Sequence, residues 1–145
     1  MATRDATEDD LGEICALIRE LAEYERLAHE VVFDDDDMRR HLFGADPAAR
    51  VLLATTSGGE VAGLALWFRT FSTFLAKPGI WLEDLFVRPS HRGHGYGLEL
   101  MQALRTRTEG RVEWAVLDWN EPAIAFYQQL GASPVPGWTR FRWLS

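Results

Sequence analysis

The chain has 145 residues, and 47% of them are hydrophobic, which suits a single folded domain and argues against disorder. Its net charge of −7 and isoelectric point near 5.0 argue against a nucleic-acid or anionic-membrane partner, because counterion release needs clustered Lys and Arg. The same balance suits a cationic small molecule. The lone Cys15 has no partner for an intrachain disulfide and no metal-ligand spacing. It reads as a small buried hydrophobe, compatible with a reducing compartment. The start, MATRDATEDD, lacks the apolar core of a signal peptide, and no apolar run is long enough to span a bilayer. These features predict a cytoplasmic protein with no membrane partner.

In chain order, residues 2–6 predict a short edge strand. Thr7 opens a helix, with Asp10 three residues on in the manner of a capping box. Leu11, Ile14, Ile18, Leu21 and Ala22 give that helix one apolar face through Tyr24. The run Asp34 to Asp37 precedes Met38, Leu42 and Phe43, and reads as a helix start complementing the dipole rather than as a cation site. Val51 to Thr55 and Val61 to Phe68 predict a strand hairpin. A loop is expected from Thr70 to Gly79, with Pro78-Gly79 as its turn signal, then a strand from Ile80 to Val87 ended by Pro89. Leu98, Met101 and Leu104 mark a helix stopping near Gly110, Val112 to Leu117 a strand, and Asn120 to Leu130 a helix closed by Gly131. The alternation from Trp138 to Trp143 predicts a final strand. With no repeat, linker or change of composition, residues 1–145 read as one domain of mixed α/β class.

The strongest local signal is Arg92-Gly93-His94-Gly95-Tyr96-Gly97, which follows a strand and opens a helix. Glycines allow positive φ and close approach, and the free N–H groups of a helix start favour an anion such as pyrophosphate. It is neither a dinucleotide fingerprint nor a P-loop, which would need a following Gly-Lys-Ser/Thr. His29, His41 and His91 show no ligand spacing, so no metal is expected. Glu83 and Asp84 lie in an apolar strand, where two carboxylates are costly unless paired or used. As strand neighbours they are expected on opposite faces.

The spacing Arg92-x-x-Gly95-x-Gly97 resembles the acyl-CoA motif of the GNAT N-acetyltransferase superfamily. Trp81-Leu82-Glu83-Asp84-Leu85-Phe86-Val87-Arg88-Pro89 before it, and Trp119-Asn120-Glu121-Pro122-Ala123-Ile124-Ala125-Phe126-Tyr127 with Leu130-Gly131-Ala132 after it, resemble the diamine and thialysine branch. Leu21-Ala22-Glu23-Tyr24-Glu25 also fits that branch. The resemblance implies a central mixed, mostly antiparallel sheet of about six or seven strands flanked by about four helices. It implies transfer of acetyl from acetyl-CoA to a small primary amine, and a homodimer, which the aromatic C-terminal strand also suggests. An alkyl ammonium has a pKa of about 10.4, so the reaction needs a base. The resemblance gives that part, or a water relay, to Glu83, and leaves Asp84 between acceptor recognition and a structural pair. It implies a bulge in the Glu83 strand, pantetheine pairing near Phe86 and Val87, and the Leu85 N–H at the developing oxyanion. The loop Arg92, Gly93, His94, Gly95, Tyr96 and Gly97 would hold the pyrophosphate, and Asn120 the CoA arm beside its role as helix cap. Tyr127 would be general acid for the thiolate, and Tyr24 and Glu25 acceptor contacts. An enzyme acting on a protein amine and a non-catalytic acyl-CoA sensor are the alternatives. The combination of Glu83, Asn120 and Tyr127 speaks against a sensor.

Overall fold

The apolar stripe of the first helix decides which face of the sheet it covers. In the computed structural model, which describes residues 2–145, α1 runs Leu11–Tyr24 and buries Ile14, Leu17 and Leu21. They share one core with Leu42 of α2 (Asp35–Phe43) and with Val51, Leu53, Leu64, Leu66 and Phe86 of the sheet. Strand alternation sends Leu52, Ala65 and Trp67 to the other face, where α3 (Tyr96–Arg105) packs with Leu100 and Leu104 buried. Helices thus cover both faces, and Cys15 is buried as expected, its thiol pushed up to about 11 by desolvation.

The sheet has five strands in the order β1-β2-β3-β4-β5: Ala2–Asp5, Arg50–Thr55, Val61–Ser72, Lys77–Val87 and Val112–Trp114. The first four pair antiparallel, and β5 lies parallel to β4. A mixed, mostly antiparallel α/β fold with four α-helices is therefore present among the described residues, which hold five strands and not the expected six or seven. The expected final strand from Trp138 to Trp143 has no ladder partner among the described residues. Pro134 and Pro136 lack the N–H a ladder needs, and Gly137 turns the chain at φ +88. The expected loop from Thr70 to Gly79 is mostly ladder: Thr70 pairs with Gly79 and Ser72 with Lys77, and the turn lies between. Ser72 Oγ accepts from the Leu75 N–H at 3.2 Å, and Ala76 closes the turn at φ +52. Gly79 serves close approach instead of turning, since a Cβ there would come within 2.7 Å of the Arg111 carbonyl oxygen.

Two compact units divide the chain, the first ending at Ala115 and the second spanning Val116–Ser145. The second holds α4 (Glu121–Gln129), whose N-cap Asn120 accepts from the Ala123 N–H at 3.4 Å, and Gly131 at φ +94 follows it. Among the described residues no helix is long and apolar enough to cross a membrane, and no cluster of His, Cys, Asp and Glu suits a metal.

The aspartate run is structural. Asp34 Oδ1 accepts from the Asp37 N–H at 2.9 Å, and Asp37 Oδ2 accepts from the Asp34 N–H at 3.1 Å, which closes a capping box on α2. Asp35, Asp36 and Asp37 also pair with Arg19, Arg39 and Arg40. Asp34→Ala is expected to lower stability by about 1 kcal/mol, the usual cost of a lost cap. Asp36→Ala, which removes one exposed ion pair, is expected to cost no more than about 0.5 kcal/mol. Urea unfolding of both variants checks this, and equal losses would mean that the run does not act as a cap.

Candidate active site

One register shift organises the site. Leu66 of β3 pairs with Asp84, but the next residue, Trp67, pairs with Leu82, so Glu83 is the extra residue of a β-bulge. Asp84 opposes Leu66, and Trp81 opposes Phe68, so both stand on the α1 face. Glu83 turns to that face too: its Oε2 accepts from the Trp81 indole N–H at 3.1 Å. The expected opposite orientation of Glu83 and Asp84 is thus overturned, because the inserted residue breaks the two-residue period.

The result is an acidic cluster. Glu25, the C-cap of α1, faces the same place. Burial first, then the charges of Glu83 and Glu25, push the Asp84 carboxyl up to about 7. Burial also raises the Glu25 carboxyl above its ordinary range. The Coulomb penalty of gathering these groups is relieved by a cation placed among them. Arg88 clamps α1 to β4, pairing with Glu20 at 3.0 Å and Glu13 at 2.9 Å while its backbone N–H donates to the Ala62 carbonyl at 2.8 Å.

The bulge also opens an edge. The β4–β5 ladder ends at Leu82 and Trp114, and among the described residues no strand pairs with β4 on that side beyond it. The Arg88 N–H points toward β3. Counting back by alternation, the Leu85 and Val87 amides face the open side. Backbone amides open on one side of a strand can pair with an extended ligand or donate to an oxygen that gains charge. Downstream, Gly93 and Gly95 take φ +81 and +85, and a Cβ on either would meet nothing within 4 Å. Gly95 caps α3 without a side-chain bond, so the first N–H groups of the helix remain for an anion. Gly97 lies inside α3, and positive φ is not what it supplies. The residues fit a pyrophosphate held by backbone. The Arg92 side chain turns elsewhere: Nε donates to the Val87 carbonyl at 2.9 Å, and the guanidinium lies over the rings of Tyr24 at 5.0 Å and Phe86 at 5.5 Å. His94 packs edge-on to Tyr96, which is buried.

In the first unit, then, Tyr24, Glu25, Glu83, Asp84, Phe86, Val87 and Arg92 are brought together. Asn120 and Tyr127 belong to the second unit. Asn120 is buried as the cap of α4, and Tyr127 packs on Phe126 with ring centroids 5.4 Å apart. Two contributions were missed from sequence. The bond from Trp81 to Glu83 was signalled only by their i, i+2 spacing, and the bond from Arg92 to Val87 had no local signal.

The model of the "Acetyltransferase (GNAT) family" matches residues 17–132. The chain belongs to this family and is an acetyltransferase. It is 34% identical to the thialysine N-epsilon-acetyltransferase of Mus musculus over 96% of this chain and 89% of that protein. The Bos taurus protein of the same name is 36% identical over the same shares. The L-ornithine N5-acetyltransferase of Arabidopsis thaliana is 31% identical over 93% of this chain and 80% of that protein. Among solved structures, an integron cassette protein from the mobile metagenome of V. cholerae superposes with a TM-score of 0.80 at 24% identity. The superposition covers 99% of this chain and 92% of that one, and supports the fold.

Two outcomes are expected. Asp84 carries a folded-state pKa raised to about 7, above its ordinary value of about 3.9. Its folded form therefore holds the proton more tightly, and that contribution to stability is complete below about pH 4 and lost as pH rises through 7. Asp84→Asn is expected to flatten this decline, measured by denaturant unfolding from pH 4 to 8. An unchanged decline would show that Asp84 does not titrate there. Gly95→Val is expected to weaken CoA binding at least about tenfold in calorimetry, because a branched residue resists φ +85, while Gly97→Ala stays near wild type.

Proposed function

We propose that the protein transfers acetyl from acetyl-CoA to a primary amine of a small molecule, a polyamine, thialysine or a similar aminoalkyl compound, with residues 1–145 acting as one catalytic domain. The observation that carries the acceptor class is the bulge that gathers Glu83 and Asp84 on one face beside Glu25. A group with one or more ammonium charges complements that cluster, whereas a neutral or anionic acceptor would not. The names of the relatives in mouse, cattle and Arabidopsis point the same way.

When bound, acetyl-CoA supplies the activated acetyl thioester. Glu83, water-accessible and anchored by Trp81, takes the proton from the ammonium directly or through one water. Asp84, Glu25 and Tyr24 hold and orient the cation. The Leu85 N–H donates to the oxygen that gains charge, and the open edge at Val87, beside Phe86, seats the arm. The backbone of Arg92, Gly93, His94, Gly95, Tyr96 and Gly97 holds the pyrophosphate. Resemblance assigns the amide of Asn120 to the CoA arm, and gives Tyr127 the proton delivered to sulfur as the C–S bond breaks. The protein is proposed to act in the cytoplasm as a homodimer. The exposed Trp138, Phe141 and Trp143 of the tail support the pairing, in place of the strand expected there.

The test is acetyl-CoA turnover against diamines, polyamines, thialysine, ornithine, amino acids and peptides. Turnover of small polycationic amines is expected, and turnover of peptides alone would overturn the acceptor class. With the best amine, Glu83→Gln is expected to lower kcat/KM by about 10²–10⁴-fold at neutral pH, with partial recovery at high pH where free amine is abundant. Tyr127→Phe is expected to lower kcat by about 10²-fold or more with CoA affinity kept. Wild-type rates in either variant would remove that residue from its role.

A further inference from the structure

Glu83 sits on a bulge, and a bulged residue is not held by ladder hydrogen bonds on both sides. A base placed there needs another restraint, because a flexible carboxylate spends much of its time misdirected. The restraint present is the indole N–H of Trp81, which donates to Glu83 Oε2 at 3.1 Å. Trp81 is itself fixed, since it pairs with Phe68 on β3 and with Glu113 on β5 and is half-buried. An indole nitrogen only donates, so it neither takes up nor releases the proton in question. Its single N–H is spent on Oε2, so the indole does not compete for Oε1.

We propose that Trp81 is a positioning residue for acetyl transfer, anchoring Glu83 through Oε2 so that Oε1 is the oxygen that receives the proton. Trp81 and Glu83 stand two residues apart on one face of the strand, and the bulge at Glu83 brings Asp84 to that face beside them. The inference rests on the reading of Glu83 as base, and the experiment separates the two.

Trp81→Phe keeps an aromatic ring and removes the N–H. Steady-state kinetics use acetyl-CoA with thialysine, or with the fastest amine of the panel where that is another. The expected result is kcat lower by about ten- to a hundredfold. The KM for acetyl-CoA and the calorimetric Kd for CoA are expected to stay within about twofold, since the cradle lies elsewhere. In a Glu83→Gln background the same substitution is expected to change kcat by less than about twofold, because the group it orients is gone. If Glu83→Gln alone turns over at the wild-type rate, the base reading falls and this inference with it. If Glu83→Gln is impaired but Trp81→Phe is not, the base stands and the positioning role is overturned. An equal loss in both backgrounds, or a loss of CoA affinity, would make Trp81 a packing residue and overturn it too. Should the Phe variant fail to fold, benzothienylalanine at position 81 decides by the same criteria, as it keeps the bicyclic shape and replaces the N–H with sulfur.

Discussion

One inserted residue in β4 is the constraint from which the site follows. A regular strand from Ile80 to Val87 would place Glu83 and Asp84 on opposite faces and would continue its ladder with β5. The bulge at Glu83 changes both. It turns two carboxylates toward α1, where Glu25 adds a third, and it ends the parallel ladder at Leu82 and Trp114. The acidic cluster and the open strand edge lie beside the same bulge, so the proposed seats for an amine and for an acyl carrier meet at a single point of the sheet.

The cost of that arrangement is electrostatic, and the surroundings contain it. Asp84 is pushed up to about 7 because it is desolvated beside like charges. Arg88 sits a few residues further along β4 but spends its guanidinium on Glu13 and Glu20, holding α1 in place without neutralising the cluster. Arg92 is likewise kept from the carboxylates by the Val87 carbonyl and the Tyr24 and Phe86 rings. Both of these guanidinium groups serve geometry, which fits the proposed cationic acceptor. The net charge of −7 is a diffuse version of the same preference.

What was legible from sequence divides along physical lines. The Arg92-to-Gly97 loop was legible because positive φ at Gly93 and Gly95 is a local demand that few residues meet. The helices were legible because Leu11, Ile14, Ile18, Leu21 and Ala22, or Leu98, Met101 and Leu104, repeat at helical spacing. The aspartate run was legible as a helix start because acidic residues in a first turn complement the dipole, while the capping box of Asp34 and Asp37 appeared only in the structure. The facing of Glu83 was not, because a bulge is a property of the register between β3 and β4, and registers are non-local. The tail misled for the opposite reason: Trp138 to Trp143 alternate well, but alternation makes a strand only where another strand offers its edge.

An exposed row of strand amides is ordinarily a hazard, since any extended segment of another molecule can dock on it and start a cross-β stack. Sheet proteins blunt such rows with bulges, charges or short strands, and here the stretch of β4 beyond its ladder with β5 carries the first two, a bulge at Glu83 and the charges of Glu83 and Asp84. The proposed seat for a slender arm is therefore also a poor template for an invading strand, because its bulge and its carboxylates interrupt the row that such a strand would follow.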